Sequence, residues 1–83
     1  MYDLFVLPPA QKDLDKLEVS AFDRILRKIR ALAKDARPPG CLKLTGDDGY
    51  RLRAGDYRVL YRIDDSSKRI YTYRIKHRKD AYS

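Results

Sequence analysis

The stretch Tyr50-Arg51-Leu52-Arg53-Ala54-Gly55-Asp56-Tyr57-Arg58-Val59-Leu60-Tyr61-Arg62-Ile63 decides how this chain folds. Side chains alternate across a strand, so each arm sorts into an apolar face and a charged face. Gly55-Asp56 between the arms is a two-residue hairpin turn of the Gly-X kind. Closed that way, residue 54 pairs with 57, Leu52 faces Val59 and Tyr50 faces Tyr61, which makes one coherent core face. The same register sets Arg53 directly opposite Arg58, with Arg51 opposite Leu60 and diagonal to Arg58 and Arg62. Like charges directly opposed on an antiparallel pair destabilise it, by roughly a few tenths of a kcal/mol to 1 kcal/mol. Folding alone gives no reason for that crowding. A bound anion would relieve it, because guanidinium forks match phosphate oxygens bidentately. The alternative is a solvated face whose charges pair with Asp47, Asp48 or Asp56.

Working outward, Tyr2 to Leu7 reads as a short strand ending at Pro8-Pro9, and proline suits the first turn of a helix. Ala10, Leu14 and Leu17 recur at helical spacing, so residues 8–18 form an amphipathic helix. Ser20 and Asp23 resemble a capping box that opens a second helix. Phe22, Ile25, Ile29, Leu32, Ala33 and Ala36 line one side of it, and Pro38-Pro39-Gly40 stops it. Cys41–Thr45 and Tyr50–Ala54 are strands around the Gly46-Asp47-Asp48-Gly49 turn. Asp64-Asp65-Ser66-Ser67 is a further turn, leading to a strand over Arg69–Lys76. Strands joined by tight turns are antiparallel neighbours. The expected class is α+β in the order β-α-α-β-β-β-β, with an N-terminal strand and a helical hairpin packed on one face of an antiparallel sheet.

Composition narrows the function classes. Eighty-three residues suffice for one domain, 1–83, with a small core. No run of 18 apolar residues exists to span a membrane. The N-terminus lacks the basic-then-apolar pattern of a signal peptide, and the expected location is cytoplasmic. One cysteine and one histidine allow neither an internal disulfide nor a zinc cluster, so no metal or other cofactor is expected. Net charge is +7 and uneven: residues 1–41 carry 8 Lys/Arg against 6 Asp/Glu, whereas residues 42–83 carry 11 against 6. A basic second half points to a polyanion, either nucleic acid or an acidic protein partner.

The last strand extends the charged face. If Tyr71, Tyr73 and Ile75 turn to the core, then Arg74, Lys76 and Arg78 join the arginines by parity. His77 points the other way if the strand continues that far. Tyr82, four residues after Arg78, is an aromatic near the chain end; beside a cationic patch it could stack on a nucleobase, worth about 1–3 kcal/mol.

Together these residues resemble the RelE branch of the RelE/ParE toxin superfamily. The likeness rests on the Tyr50–Ile63 hairpin and on His77-Arg78-Lys79-Asp80-Ala81-Tyr82. Ala10-Gln11-Lys12-Asp13-Leu14-Asp15-Lys16-Leu17 adds a match to the family's first helix, and Leu42-Lys43-Leu44-Thr45-Gly46 one to its pre-hairpin strand. It implies the microbial-RNase-like RelE fold and the toxin of a type II toxin–antitoxin pair. Such a toxin is a ribosome-dependent, metal-independent endoribonuclease that cuts mRNA in the A site, beside 16S rRNA. Attack by the 2′-OH leaves a 2′,3′-cyclic phosphate. The implied catalytic residues are Arg53 and Arg58 on the scissile phosphate, Arg78 at the transition state or leaving oxygen, and Tyr82 stacked on the base. Arg51, Arg62, Arg74 and Lys76 would hold RNA phosphates. The implied partner is an acidic RelB-like antitoxin. One departure stands out: the best-known members carry lysines at the positions of Arg51 and Arg53, one of them a proposed general base. Arginine keeps its proton at any working pH. Lys43 and His77 are the remaining candidates for the base, and the sequence does not choose between them. Two other readings stay open: a ParE-like poison of DNA gyrase, and a non-catalytic ribosome- or RNA-binding module.

Overall fold

The computed structural model describes residues 1–79. Its elements are β1 (Asp3–Val6), α1 (Pro8–Asp15), α2 (Val19–Ala31), β2 (Leu42–Lys43), β3 (Gly49–Ala54), β4 (Tyr57–Asp64) and β5 (Arg69–His77). The strands form one five-stranded sheet in the order β1-β5-β4-β3-β2. β2 through β5 pair antiparallel, as tight turns require, whereas β1 pairs parallel to β5. The sheet is therefore mixed rather than wholly antiparallel. The chain leaves β1 at one edge, crosses one face of the sheet as the helix pair, and re-enters at the far edge as β2. β5 then returns to the seat beside β1, where its direction is already set by the hairpins before it.

The helices are shorter than their apolar patterns. α1 has proline in its first turn and ends at Asp15, although Leu17 still packs on the core. The Ser20 capping box does not form: α2 begins two residues earlier than such a cap would set it, at Val19 with Glu18 as its cap, and the Ser20 hydroxyl donates to the Glu18 carboxylate at 2.9 Å. At its C-terminus α2 tightens into a turn, with Ala33 N–H donating to the Arg30 carbonyl and Lys34 N–H to that of Ala31, both at 3.2 Å. Leu32 and Ala36 beyond the regular helix remain buried.

The core lies between the helix pair and one face of the sheet. Ala10, Leu14, Ile25, Ile29, Leu32 and Ala36 meet Leu52, Ala54, Val59, Tyr61, Ile70 and Ile75 there. Tyr61 is wholly buried, and its hydroxyl donates to the Ala36 carbonyl at 2.8 Å, which pins the post-helical segment to the sheet. Burial pushes the Tyr61 phenol well up from its ordinary range.

One irregularity reassigns a face. Val59 pairs with Ile75 and Leu60 with Arg74, but Tyr61 pairs with Thr72, so Tyr73 is an extra residue in β5. A bulge of this kind reverses alternation beyond it. Ile75 faces the core as the parity argument expects, but upstream of the bulge Ile70 and Thr72 do so, and Tyr71 and Tyr73 turn to the opposite face. The parity placing of both tyrosines in the core is thus corrected.

Candidate nucleic-acid interface

The sheet face away from the helices is best described in rows running across the strands. The β3–β4 register is the one the hairpin turn dictates: Ala54 opposite Tyr57, Arg53 opposite Arg58, Arg51 opposite Leu60. Gly55 makes that turn with φ of 62°, where a residue without Cβ is unstrained. β5 then sets Lys76 on the other side of Arg58. One row therefore reads Arg53–Arg58–Lys76, three cations side by side across three strands, with neighbouring Cβ atoms roughly 4.5–5.5 Å apart.

Arg58, at the centre of this row, is only 7% exposed. Its Nη1 donates to the Tyr57 carbonyl at 3.2 Å, and Arg53 Nε donates to the Gly55 carbonyl at 3.3 Å. Among the described residues, no carboxylate forms an ion pair with Arg53, Arg58 or Lys76. A guanidinium stripped of most of its water, flanked by two cations and met by no counter-charge among the described residues, makes a strongly anion-seeking spot. Arg78 borders it: its backbone N–H donates to the Asp56 carbonyl at 2.7 Å, tying the end of β5 to the hairpin turn, while its side chain is exposed. Tyr82 lies outside the described residues.

The next row along the face is Leu42–Arg51–Leu60–Arg74. Arg74 is spoken for. Beyond Thr72 the outer edge of β5 has no strand beside it, and Asp13 of α1 fills the gap. Its carboxylate accepts the Ile75 N–H at 2.8 Å and Arg74 Nε at 2.9 Å. Burial alone would raise the Asp13 carboxyl, but the bonds from Arg74 and Ile75 hold it below its ordinary value. Arg74 is thus the tie that fastens α1 to the sheet edge, rather than an unengaged phosphate ligand. The row after that is Gly49–Arg62–Tyr71–Phe5. The Arg62 guanidinium lies 4.1 Å over the Tyr73 ring and 3.7 Å from the Asp47 carboxylate.

Neither candidate base from the sequence shares the cation row's face. Lys43 pairs with Tyr50, in the row of Tyr61. Its Nζ donates to the Asp47 carbonyl at 2.9 Å and lies 5.4 Å over the Tyr50 ring. β5 continues through His77, which therefore pairs with Tyr57 and packs edge-on against its ring at 5.2 Å. His77 Nδ1 accepts the Lys79 N–H at 3.3 Å. Of the row itself, two members are guanidiniums that do not give up a proton, and Lys76 is the one amine. Parity had placed Lys76 on this face; what it missed was that the amine sits beside the buried arginine.

A hollow of about 540 Å³ lies elsewhere, around the β2–β3 turn, lined by Lys43, Leu44, Gly46, Asp47, Asp48 and Arg62. It mixes cations with carboxylates, so its field is divided, whereas the cation row is of one sign. A strand of nucleic acid needs an open charged face more than a cavity. Among the described residues, no three His, Cys, Asp or Glu side chains come together as a metal site, and no helix is long and apolar enough to cross a membrane.

Comparison with known proteins bears on the family and the fold. Residues 4–82 match the family model described as ParE toxin of the type II toxin–antitoxin system. The chain is 35% identical over 80 residues to Toxin RelG of Mycobacterium tuberculosis, covering 96% of this chain and 83% of that protein. Its fold superposes on the archaeal RelE–RelB complex from Pyrococcus horikoshii with a TM-score of 0.84 at 32% identity, covering 95% of this chain and 97% of the other. It also superposes on the RelBE2 toxin–antitoxin complex from Mycobacterium tuberculosis, with a TM-score of 0.82 at 25% identity and coverage of 92% and 96%.

Proposed function

The chain belongs to the RelE/ParE superfamily of type II toxin–antitoxin toxins, and from that premise we propose that it is an endoribonuclease acting on mRNA at the ribosomal A site. The observation that carries this reading is the Arg53–Arg58–Lys76 row, with Arg58 buried and, among the described residues, no carboxylate paired to any of the three. Cleavage by the neighbouring 2′-OH needs a base for the hydroxyl proton, cations for the pentacoordinate phosphorus, and an acid for the 5′-oxygen. Arg53 and Arg58 hold the scissile phosphate and take up its growing charge. Lys76 is the amine placed to accept the 2′-OH proton. The oxygen attacks phosphorus, the bond to the 5′-oxygen breaks, and a 2′,3′-cyclic phosphate remains. Arg78 steadies the charge on the leaving 5′-oxygen, which takes its proton from water, and Tyr82 is assigned the stacking role that the family resemblance implies. Arg51 and Arg62 steer the flanking backbone.

Primer extension on mRNA after induced expression tests the reading. New 5′ ends are expected with the parent, and their loss with Arg58→Ala or Arg78→Ala. Lys76→Arg keeps the charge yet should also lose cleavage while retaining RNA binding. Parent-like cleavage by Arg58→Ala and Arg78→Ala together would overturn the mechanism.

The partner we assign is an acidic RelB-like antitoxin, since the solved structures similar to this chain include RelE–RelB complexes. Its carboxylates would neutralise the cation row. Absence of a complex by size-exclusion chromatography with the product of a neighbouring acidic gene would count against it. A second reading is kept because the matching family model is that of ParE toxins: poisoning of DNA gyrase. A DNA-damage response with intact mRNA would select it.

A further inference from the structure

The open face carries a second feature that the cation row does not use. Toward the β1 edge, the Phe5 and Tyr71 rings stack at 5.4 Å and 22°, and Phe5 is 41% exposed. The Arg69 guanidinium lies 5.7 Å over the Phe5 ring. On the other flank Arg62 pairs with Tyr71 and covers Tyr73. Two guanidiniums thus bracket an aromatic stripe on the side of the sheet that faces away from the core.

Packing gives no reason for this stripe. The core is on the opposite face, and an exposed aromatic on an edge strand is an aggregation liability that folds ordinarily avoid. Bases, by contrast, stack on aromatic rings whatever their identity, and cationic side chains beside the rings hold the intervening phosphates. The stripe is also continuous with the proposed reaction centre. Tyr71 lies five residues before Lys76 on the same strand, one of them bulged, which is about 15 Å at roughly 3.3 Å per residue. An extended strand leaving the cation row in that direction meets the stripe within a few nucleotides.

We propose that Phe5 and Tyr71, flanked by Arg62 and Arg69, form a second subsite that stacks an unpaired base of the RNA flanking the cleaved bond. This rests on the RNA-cleaving reading and adds where the substrate is held beyond the reacting phosphate. It exists only because the Tyr73 bulge turns Tyr71 outward.

The chain has no tryptophan, so Phe5→Trp supplies a lone tryptophan at the stripe, which can be excited apart from the tyrosines. The probes are uncleavable 2′-O-methyl oligouridylates, a dinucleotide and an octanucleotide. The octanucleotide should quench Phe5→Trp emission and bind the parent more tightly than the dinucleotide, by roughly fivefold to a hundredfold for a stacked base. Phe5→Thr/Tyr71→Thr should lose that advantage and bind the dinucleotide like the parent. An undiminished length advantage in the double variant, or emission unmoved by bound octanucleotide, overturns the subsite alone. Loss of antitoxin binding with RNA binding intact would assign the stripe to the protein partner and likewise overturn it. Binding of neither oligonucleotide by the parent overturns the RNA-cleaving reading together with the subsite.

Discussion

Replacing Arg58 by methionine should make the protein more stable and less active at once. Two opposed pairs, Arg53–Arg58 and Arg58–Lys76, each destabilise the sheet by a few tenths of a kcal/mol to about 1 kcal/mol. Arg58→Met removes both repulsions and the desolvation of a guanidinium that is 7% exposed, a penalty of several kcal/mol. It keeps an apolar stem of similar length in the same space. Against this stands loss of the bond to the Tyr57 carbonyl, about 1.5–3 kcal/mol for a charged donor. The expected net is about 1–2 kcal/mol of stabilisation. At about 4–8 °C per kcal/mol for a domain of this size, thermal unfolding should shift upward by several degrees. Added salt should stabilise the parent more than the variant, because it screens the row. RNA cleavage should fall by about 10²- to 10³-fold, the usual effect of removing one preorganised charge-stabilising donor. Thermal denaturation at two salt concentrations, paired with cleavage kinetics, makes the measurement. A variant that melts below the parent, with unchanged cleavage, would refute the reasoning and make Arg58 a structural residue.

Three other perturbations have definite expected outcomes. The Thr72 hydroxyl is fully buried and among the described residues has no hydrogen-bond partner; Thr72→Val keeps the shape and should stabilise by about 1 kcal/mol, read by urea denaturation. A Cβ at Gly49 would collide with the Tyr73 hydroxyl, so Gly49→Ala should displace that ring from under Arg62 and broaden the tyrosine near-ultraviolet circular dichroism; an unchanged spectrum would contradict the contact. The Asp13, Asp64 and Asp65 carboxyls all lie below their ordinary value in the folded chain, Asp64 at about 2 through bonds from Ser66 and Ser67. Their contribution is complete above the unfolded carboxyl range and is lost as pH falls through the folded values, so the melting temperature should drop between about pH 4 and 2. Asp13→Asn, which breaks the tie to Arg74 and weakens that to Ile75, should destabilise by about 1–2 kcal/mol at neutral pH, since water screens the exposed Arg74 side, and should flatten the acid limb.

Much was legible in the sequence because its signals are local. Alternation around Gly55-Asp56 set the β3–β4 register residue by residue, and with it the opposition of Arg53 and Arg58. Proline, helical spacing and turn residues located the two helices and the strands within a few positions. The order of elements followed from tight turns, and the hairpin with its flanking motifs carried the family likeness. What tertiary structure alone decided depends on contacts between distant segments. Parity from Ile75 could not register that Tyr73 is an extra residue, because the bulge is defined only by how β5 meets β4; it moved Tyr71 and Tyr73 to the open face. Arg74 and Asp13 are 61 residues apart, and only the seat of α1 against an unpaired strand edge joins them. Lys43 and His77 had the right chemistry for a base, but strand pairing put both on rows with the core-facing tyrosines and left Lys76 beside Arg58. Alternation within a strand is a property of the backbone, so sequence displays it. Which strand lies beside which, and where the ladder slips by one residue, is set by the packing of the whole sheet against its helices.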